Sequence, residues 1–431
     1  MRILYLIHQF YPEHRSGTEK FLLNLASSVQ RDGHYVQVLT YTHDCKESRK
    51  EENLFVKEYR HGGLPVTALR HRQIPPDINT GLANPDILRF AGKFLRANRF
   101  DILHCAHGMR VGSFAVAAEE FNLPTVYTIT DFWTLCPKIN LQTSSGVLCG
   151  GPKAGAECSR LCPELEQKFI ETRLAEVKGM LTRAKAIAVP SRFVRSILQS
   201  ELGDLRVRLI PHGIPRPQIS PPAKNYGTNS KLTFGYASGL APHKGVHILV
   251  AAFRRLNAPA ELKIYGEDTN QAEYINLLQD VAGGDPRIQF CGAYTDEQVD
   301  SVFAEIDVLV VPSLCYETYS FSTHEALTRG VPVIASRLGS LPDTVQDGTY
   351  GLCVRVGDIE DLTSKIQQVA DHPERLNDFR VNLDTRVSPM VEEEAYMYQR
   401  LYTEITGNLD PDEQRTRQPG RYNKLSHVRP S

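Results

Sequence analysis

The feature that most constrains this fold is a break. Between Ile214 and Ser230 the chain carries four prolines, with Asn and Gly, and almost no apolar pattern. Such a stretch cannot continue a helix or a central strand, so it reads as a linker. On each side of it, short apolar runs alternate with helical periodicities. Ile3 to Ile7 is apolar and leads into a polar loop with Gly17; Phe21, Leu22, Leu25, Ala26 and Val29 then recur on one helical face. Gly33 ends that helix, and Tyr35 to Thr40 is again rich in strand formers. This strand–loop–helix–strand unit opens a parallel α/β domain. The rhythm returns with strands at 101–104, 125–129, 186–189 and 207–210, and with helices near 109–121, 164–183 and 192–201.

After the break a second series begins. Strands are predicted at 232–237, 261–265, 287–290, 307–311, 331–335 and 351–354, with helices between them that include 246–256 and 323–329. The expected architecture is α/β, with two open parallel sheets facing a cleft. Ligands bind outside the carboxyl ends of strands in such sheets. The expected divisions are an N-terminal domain at 1–215, a linker at 216–230, a second domain at 231–385 and a helix at 386–406 that packs back towards the first domain. Two inserts interrupt the first domain. Residues 45–85 read as loop-rich with one or two short strands, because of a charged run and Pro65, Pro75, Pro76 and Pro85; residues 136–162 read as irregular. The tail at 407–431 has few apolar residues and reads as disordered.

Composition narrows the function classes. The 431 residues include 49 basic and 50 acidic side chains, a formal charge of -1. That balance gives no reason to expect nucleic acid as the main partner. The N-terminal apolar run breaks at His8, too early for a secretory signal, and no stretch approaches the roughly 20 apolar residues of a membrane span. Nine cysteines without an export signal point to free thiols in a cytoplasmic chain. Arg89, Lys93, Arg96 and Arg99 share a helical stripe. It is either a solvated face or a peripheral contact with the inner membrane surface.

The densest chemistry lies in Pro312-Ser-Leu-Cys-Tyr-Glu317-Thr-Tyr-Ser-Phe-Ser-Thr-His-Glu325, continuing through Gly330 and Pro332 to Gly339-Ser-Leu-Pro342-Asp343. Glu317 sits in a loop after a buried strand, and Glu325 sits in the helix that follows. Small and hydroxylated residues between them leave backbone N–H groups free at a helix N-terminus, which suits phosphate. Carboxylates suit sugar and ribose hydroxyls, whose O–H groups they accept.

This segment resembles the E-x7-E signature of the retaining GT-B glycosyltransferases of the glycogen-synthase-like family, glycosyltransferase family four. Three further elements follow the family's order. Arg15-Ser-Gly17-Thr-Glu19 resembles its glycine loop, Ile210-Pro-His-Gly213-Ile its domain-junction element, and Gly239-Leu-Ala-Pro-His-Lys244-Gly245 its Lys-Gly element. The resemblance implies a GT-B fold of two Rossmann-like domains and a metal-independent transferase, with a nucleotide-sugar as co-substrate and no required cofactor. It assigns Glu317 to sugar hydroxyls, Glu325 to ribose, Lys244 to the diphosphate, and the amides around Tyr319, Ser320, Phe321 and Ser322, with Gly17, to phosphate and sugar. Gly239 falls in the same donor site, and the backbone at Tyr294 would meet the nucleobase. Asp131 would lie near the donor sugar and His107 near the acceptor, though a structural role reads equally well for His107. The acceptor would be a saccharide, a lipid-linked precursor or a small molecule, held by 45–85 and 136–162.

The chain departs from the pattern at three places. Gly239 replaces the usual Arg, Thr130 replaces a His beside Asp131, and Thr318-Tyr319-Ser320 replaces Gly-Phe-Gly. Alternatives therefore stay open: a catalytically silent nucleotide-sugar-binding protein, or a nucleotide-sugar epimerase. Cys136, Cys149, Cys158 and Cys162 offer a minor zinc possibility, against a default of free thiols. The sole tryptophan, Trp133, reads as core with sugar stacking as the alternative. Asp410-Pro-Asp412 reads as a solvated turn.

Overall fold

Buried aliphatic runs become the central strands. In a computed structural model, which describes residues 1–203, 205–219, 224–266 and 272–407, the runs Ile3–Leu6, Ile102–Cys105 and Ala186–Val189 are inaccessible along their length. This is the pattern of parallel strands covered on both faces. The strands of the first sheet are β1 (Arg2–Leu6), β2 (Tyr35–Tyr41), β3 (Arg49–Glu51), β4 (Leu54–His61), β5 (Leu64–His71), β6 (Ile102–Cys105), β7 (Thr125–Thr128), β8 (Ala186–Val189) and β9 (Val207–Leu209). Their order is β3-β4-β5-β2-β1-β6-β7-β8-β9. The second sheet holds β10 (Leu232–Ala237), β11 (Ala260–Tyr265), β12 (Ile288–Gly292), β13 (Val308–Val311), β14 (Val333–Ser336) and β15 (Gly351–Val354), in the order β12-β11-β10-β13-β14-β15. Its pairs are all parallel among the described residues.

The loop-rich expectation for 45–85 is corrected. Three strands form there, and β3–β4 and β4–β5 pair antiparallel to extend the sheet edge. The cause is a two-residue turn: Gly62 and Gly63 take φ of 55° and 81°, the doubly positive conformation that matches strand twist in a tight hairpin. Buried and solvent-facing residues alternate along β4, which the proline count obscured. Pro85 does not interrupt structure either. It opens the helix Pro85–Ala97, whose first amides Asp86 N and Ile87 N donate to Asn84 Oδ1 at 2.9 and 3.3 Å. The insert at 136–162 is also less irregular than expected, with a bridge between Gln142 and Leu148 and a helix at Ala156–Leu161. The helix expected from 109 starts only at Ser113, because Arg110 sits at φ 68°. The tail call, the Asp410-Pro-Asp412 call and part of the linker fall outside the described residues.

The helix Val391–Thr406 lies against the first helix, Gly17–Arg31. Its Ala395, Tyr398, Leu401 and Tyr402 complete a core with Ile3, Tyr5, Phe21 and Leu25. The interface is polar at its centre. His104 Nδ1 lies 2.6 Å from Tyr402 Oη, and His104 Nε2 lies 2.7 Å from Thr128 Oγ1, which is in turn 2.7 Å from Tyr398 Oη. Nearer the domain junction, Gly213 N–H donates to Glu394 Oε2 at 2.8 Å, and His212 Nδ1 is 3.0 Å from Glu394 Oε1. The two chain crossings also touch: Ile214 N–H donates to Pro389 O at 2.9 Å, and a Cβ on Gly213 would stand 2.4 Å from Val391 Cα.

Burial pushes the His104 imidazole down to about 3. An unfolded histidine titrates near 6.5. Between these values the unfolded chain holds a proton that the native chain does not, so stability falls as pH drops through 6.5 towards 3. The slope from this one proton is about 1.4 kcal/mol per pH unit. Urea unfolding between pH 8 and 5 should show a shallower loss for His104→Gln than for the parent; an equal slope would contradict the assignment.

Candidate active site between the two sheets

The wall on the second sheet is built after β13. Lys244 ends the turn Pro242–Lys244, and Gly245 follows at φ 72°, where a Cβ would stand 2.1 Å from Pro312 O. Only glycine allows that approach. It sets Lys244 Nζ 2.7 Å from Glu317 Oε1, which also accepts Ser313 Oγ at 2.7 Å. Behind Glu317, Gly339 at φ 63° lets the two backbones meet, and Ser340 N–H donates to Glu317 O at 2.9 Å. Burial alone would raise the Glu317 carboxyl, but the Lys244 ammonium and the hydrogen bonds outweigh it and hold the group below its ordinary value. Burial would lower Lys244, yet the same pairing leaves it raised. The structure thus joins two residues that the sequence assigned to separate parts of a ligand.

Ser320 caps the helix Phe321–Thr328 at φ 63°, so a serine occupies the left-handed position where the family pattern carries glycine. The loop around it is tied down from several directions. Tyr319 Oη donates to the His212 carbonyl, and the Tyr319 ring stacks on His324 at 4.0 Å. Thr318 Oγ1 donates to Thr130 O at 2.7 Å, across the cleft. Phe321 stacks on His212 at 5.6 Å, and a Cβ on Gly17 would stand 3.3 Å from its ring. Ser322 follows in the first helical turn.

Glu325 is buried and is not alone. Lys20, from the first helix, donates to Glu325 Oε1 and lies 3.0 Å from Asp296 Oδ1. Burial opposes the Lys20 charge, but Glu325 and Asp296 more than restore it. Neither Lys20 nor Asp296 was singled out in the sequence. The available signal was that Lys20 lies one helical turn beyond Gly17, on the face that the glycine loop presents. Tyr294 meets Tyr265 edge-on at 6.3 Å, and Gly239 O accepts Tyr236 Oη at 2.7 Å.

On the opposite wall, His107 Nε2 is 2.8 Å from Asp131 Oδ2. Met109 N–H donates to His107 Nδ1 at 3.2 Å, which assigns the proton of a neutral ring to Nε2 and makes it the donor to Asp131. Asp131 Oδ1 also accepts Trp133 N–H at 2.9 Å, and the His107 ring lies 4.0 Å from that of His8. Trp133 itself is core: it is 2% exposed, and its indole donates to Asn79 O at 2.8 Å.

Among the described residues no group of three or more His, Cys, Asp or Glu side chains is placed to hold a metal ion, and Cys136, Cys149, Cys158 and Cys162 are free. Burial, followed by the neighbouring sulfurs, pushes the Cys158 thiol up to about 12, so it stays a neutral thiol. On the basic stripe, Arg89 lies 3.5 Å from Glu52 and also pairs with Asp86, and Lys93 pairs with Glu52. No helix among the described residues is long and apolar enough to cross a membrane.

Comparison with known proteins bears on family and fold. The model of Glycosyltransferase Family 4 matches residues 15–216, and that of Glycosyl transferases group 1 matches residues 231–372. An MMP alpha-(1->4)-mannosyltransferase from Mycolicibacterium hassiacum is 32% identical over 143 residues, which are 32% of this chain and 34% of that protein. The chain therefore spans about a third of the length of that curated relative. Among solved structures, sucrose-phosphate synthase from Thermosynechococcus elongatus aligns with a TM-score of 0.69 at 20% identity, covering 95% of this chain and 100% of that one. Anabaena HepE in complex with UDP and glucose aligns with a TM-score of 0.67 at 18% identity, covering 94% and 99%. These likenesses identify the fold as GT-B. With one family model on each sheet, the chain belongs to the group 1, family 4 glycosyltransferases.

Proposed function

We propose that this chain moves a sugar from a UDP- or GDP-linked donor to an acceptor hydroxyl, with retention at the anomeric carbon and without a metal or other cofactor. The observation that carries the reading is the Lys244–Glu317 pair at the start of a helix, opposite His107–Asp131 across the cleft. Cleavage of a sugar–phosphate bond builds negative charge on the departing diphosphate. Lys244 and the amides at Ser320 to Ser322 supply fixed positive charge for it. Glu317, held ionised, accepts sugar hydroxyls. Glu325 accepts the ribose hydroxyls once Lys20 gives way, and Gly17 admits the donor close to the first helix. His107 and Asp131 orient the acceptor hydroxyl. The mannosyltransferase relative and the UDP-bound HepE structure support a nucleotide-sugar donor, and the acceptor is a saccharide, a lipid-linked sugar or a small molecule. We place the reaction in the cytoplasm, with any contact at the inner membrane face peripheral.

A silent nucleotide-sugar binder is the competing reading, favoured by Gly239, which carries no cation for the diphosphate. Nucleotide release separates the two. Turnover with UDP- or GDP-sugars and mixed saccharide acceptors supports transfer, whereas donor binding without release supports the binder.

A thermal-shift panel of UDP, GDP and their sugars should give a rise in melting temperature for one nucleotide series, by mass action. Glu325→Ala should abolish the rise, and Lys244→Ala should lower kcat by roughly 10²–10³-fold, as loss of one such donor does. A rise that persists in Glu325→Ala, or an unchanged kcat in Lys244→Ala, would sink the assignment.

The pair also sets a stability prediction. Lys244→Met leaves a buried carboxylate unpaired and should cost about 3 kcal/mol, while the Lys244→Met/Glu317→Met double variant should regain most of it. Urea midpoints of the four proteins check this, and simple additivity would refute the coupling.

A further inference from the structure

On the donor reading, the cleft is short of positive charge. Gly239 carries no side chain where the family pattern has arginine. Lys244 is matched by Glu317 at 2.7 Å, so that pair is neutral overall. Lys20 Nζ, reaching from the first domain, meets two carboxylates: it donates to Glu325 Oε1 and lies 3.0 Å from Asp296 Oδ1. Together these side chains carry more negative than positive charge. A diphosphate entering such a place adds further negative charge, and it needs a cation that can change partners.

Lys20 is the fourth residue of the helix Gly17–Arg31, and its amide closes the first turn on Ser16 O at 3.0 Å. The positive end of that helix repels an ammonium there, so the side chain is held by what it faces. It faces the start of a second helix. A Cβ on Gly17 would stand 3.3 Å from the Phe321 ring, so the two helix N-termini abut. Glu325 lies one turn into the helix Phe321–Thr328, about 5 Å along its axis from the free amides at Ser320 to Ser322. Lys20 is thus parked on the carboxylate that suits ribose, one turn from the amides that suit phosphate. In a nucleoside diphosphate a single methylene joins the ribose ring to the phosphates. A cation released from the ribose carboxylate has only that span to cross.

Asp296 holds Lys20 from the other side. It begins the turn Asp296–Gln298, is half exposed, and also accepts Tyr11 Oη at 3.3 Å. A lysine has three N–H donors on a flexible stem, so it can leave one carboxylate for a phosphate oxygen while keeping the other.

We propose that Lys20 is a second cation for the donor diphosphate. When the ribose hydroxyls take Glu325, the Lys20 ammonium leaves that carboxylate for a phosphate oxygen and supplies the charge absent at Gly239. This rests on the donor reading of the second-sheet wall.

The test is titration calorimetry on the full chain with uridine and UDP, and with guanosine and GDP in parallel. For the series that binds, written here as uridine, the parent should prefer the diphosphate to the nucleoside. Lys20→Met should cut UDP affinity by about tenfold or more, the worth of one hydrogen bond to a charged group, while uridine affinity holds within about twofold or rises. Retained uridine binding shows that the variant is folded and that the Glu325 subsite is intact. Lys20→Arg should keep part of the UDP preference. Asp296→Asn leaves Lys20 in place with one holder fewer, so it should tighten UDP by about two- to fivefold without tightening uridine; this variant decides the matter if Lys20→Met does not fold. Equal weakening of uridine and UDP in Lys20→Met identifies a plain interdomain latch and overturns the proposal. An unchanged UDP preference in Lys20→Met, or Asp296→Asn that weakens UDP, does the same. A parent that binds neither UDP nor GDP refutes the donor reading and removes this proposal with it, whereas a parent that binds UDP without dependence on Lys20 refutes the proposal alone.

Discussion

The first domain depends on the last helix. Val391–Thr406 brings Tyr398, Tyr402 and Glu394 against the core formed by the first helix and one face of the first sheet, and all three bury a polar group there. A buried hydroxyl or carboxylate is tolerated only with partners. Those partners, Thr128, His104, His212 and the Gly213 amide, come from four positions on the first domain or its exit. The helix therefore docks in one register and one rotation. Because it follows the second sheet in the chain, its docking also fixes where that sheet begins and ends relative to the first.

The cleft that results is organised as matched charges. Lys244 holds Glu317 within the second domain, and Lys20 reaches from the first domain to Glu325 and Asp296. Each carboxylate expected to receive hydroxyls is already paired with an ammonium. On the proposed function, donor binding is an exchange of partners in a site that stays charged throughout, and the desolvation of these groups is met by folding.

The two sheets were legible in the sequence because parallel strands covered on both faces read as uninterrupted apolar runs. Helix starts were less so: Arg110 looks like any helical residue, and only its backbone conformation delays the helix to Ser113. Strands β4 and β5 were hidden by prolines that lie near a strand start (Pro65), at a helix start (Pro85) or in the loop between them (Pro75, Pro76), where proline costs little. Glu317, Lys244, Asp131 and His107 were all named in advance, but their pairings were not. Lys244 meets Glu317 only because Gly245 and Gly339 permit backbone contact across distant segments. Lys20 meets Glu325 across 305 positions, a contact that no local pattern encodes. Ser320 was seen as a departure from glycine, and at φ 63° it takes the left-handed conformation that glycine adopts most readily.

The two crossings between the domains touch at Gly213–Ile214 and Pro389–Val391. Joined there, they act as one pivot and not as two independent tethers. Sliding one sheet along the other would shear that contact, whereas turning about it leaves the contact intact. Any opening about that pivot must break the hydrogen bonds that cross the cleft, Thr318 Oγ1 to Thr130 O and Gln142 Nε2 to Leu314 O.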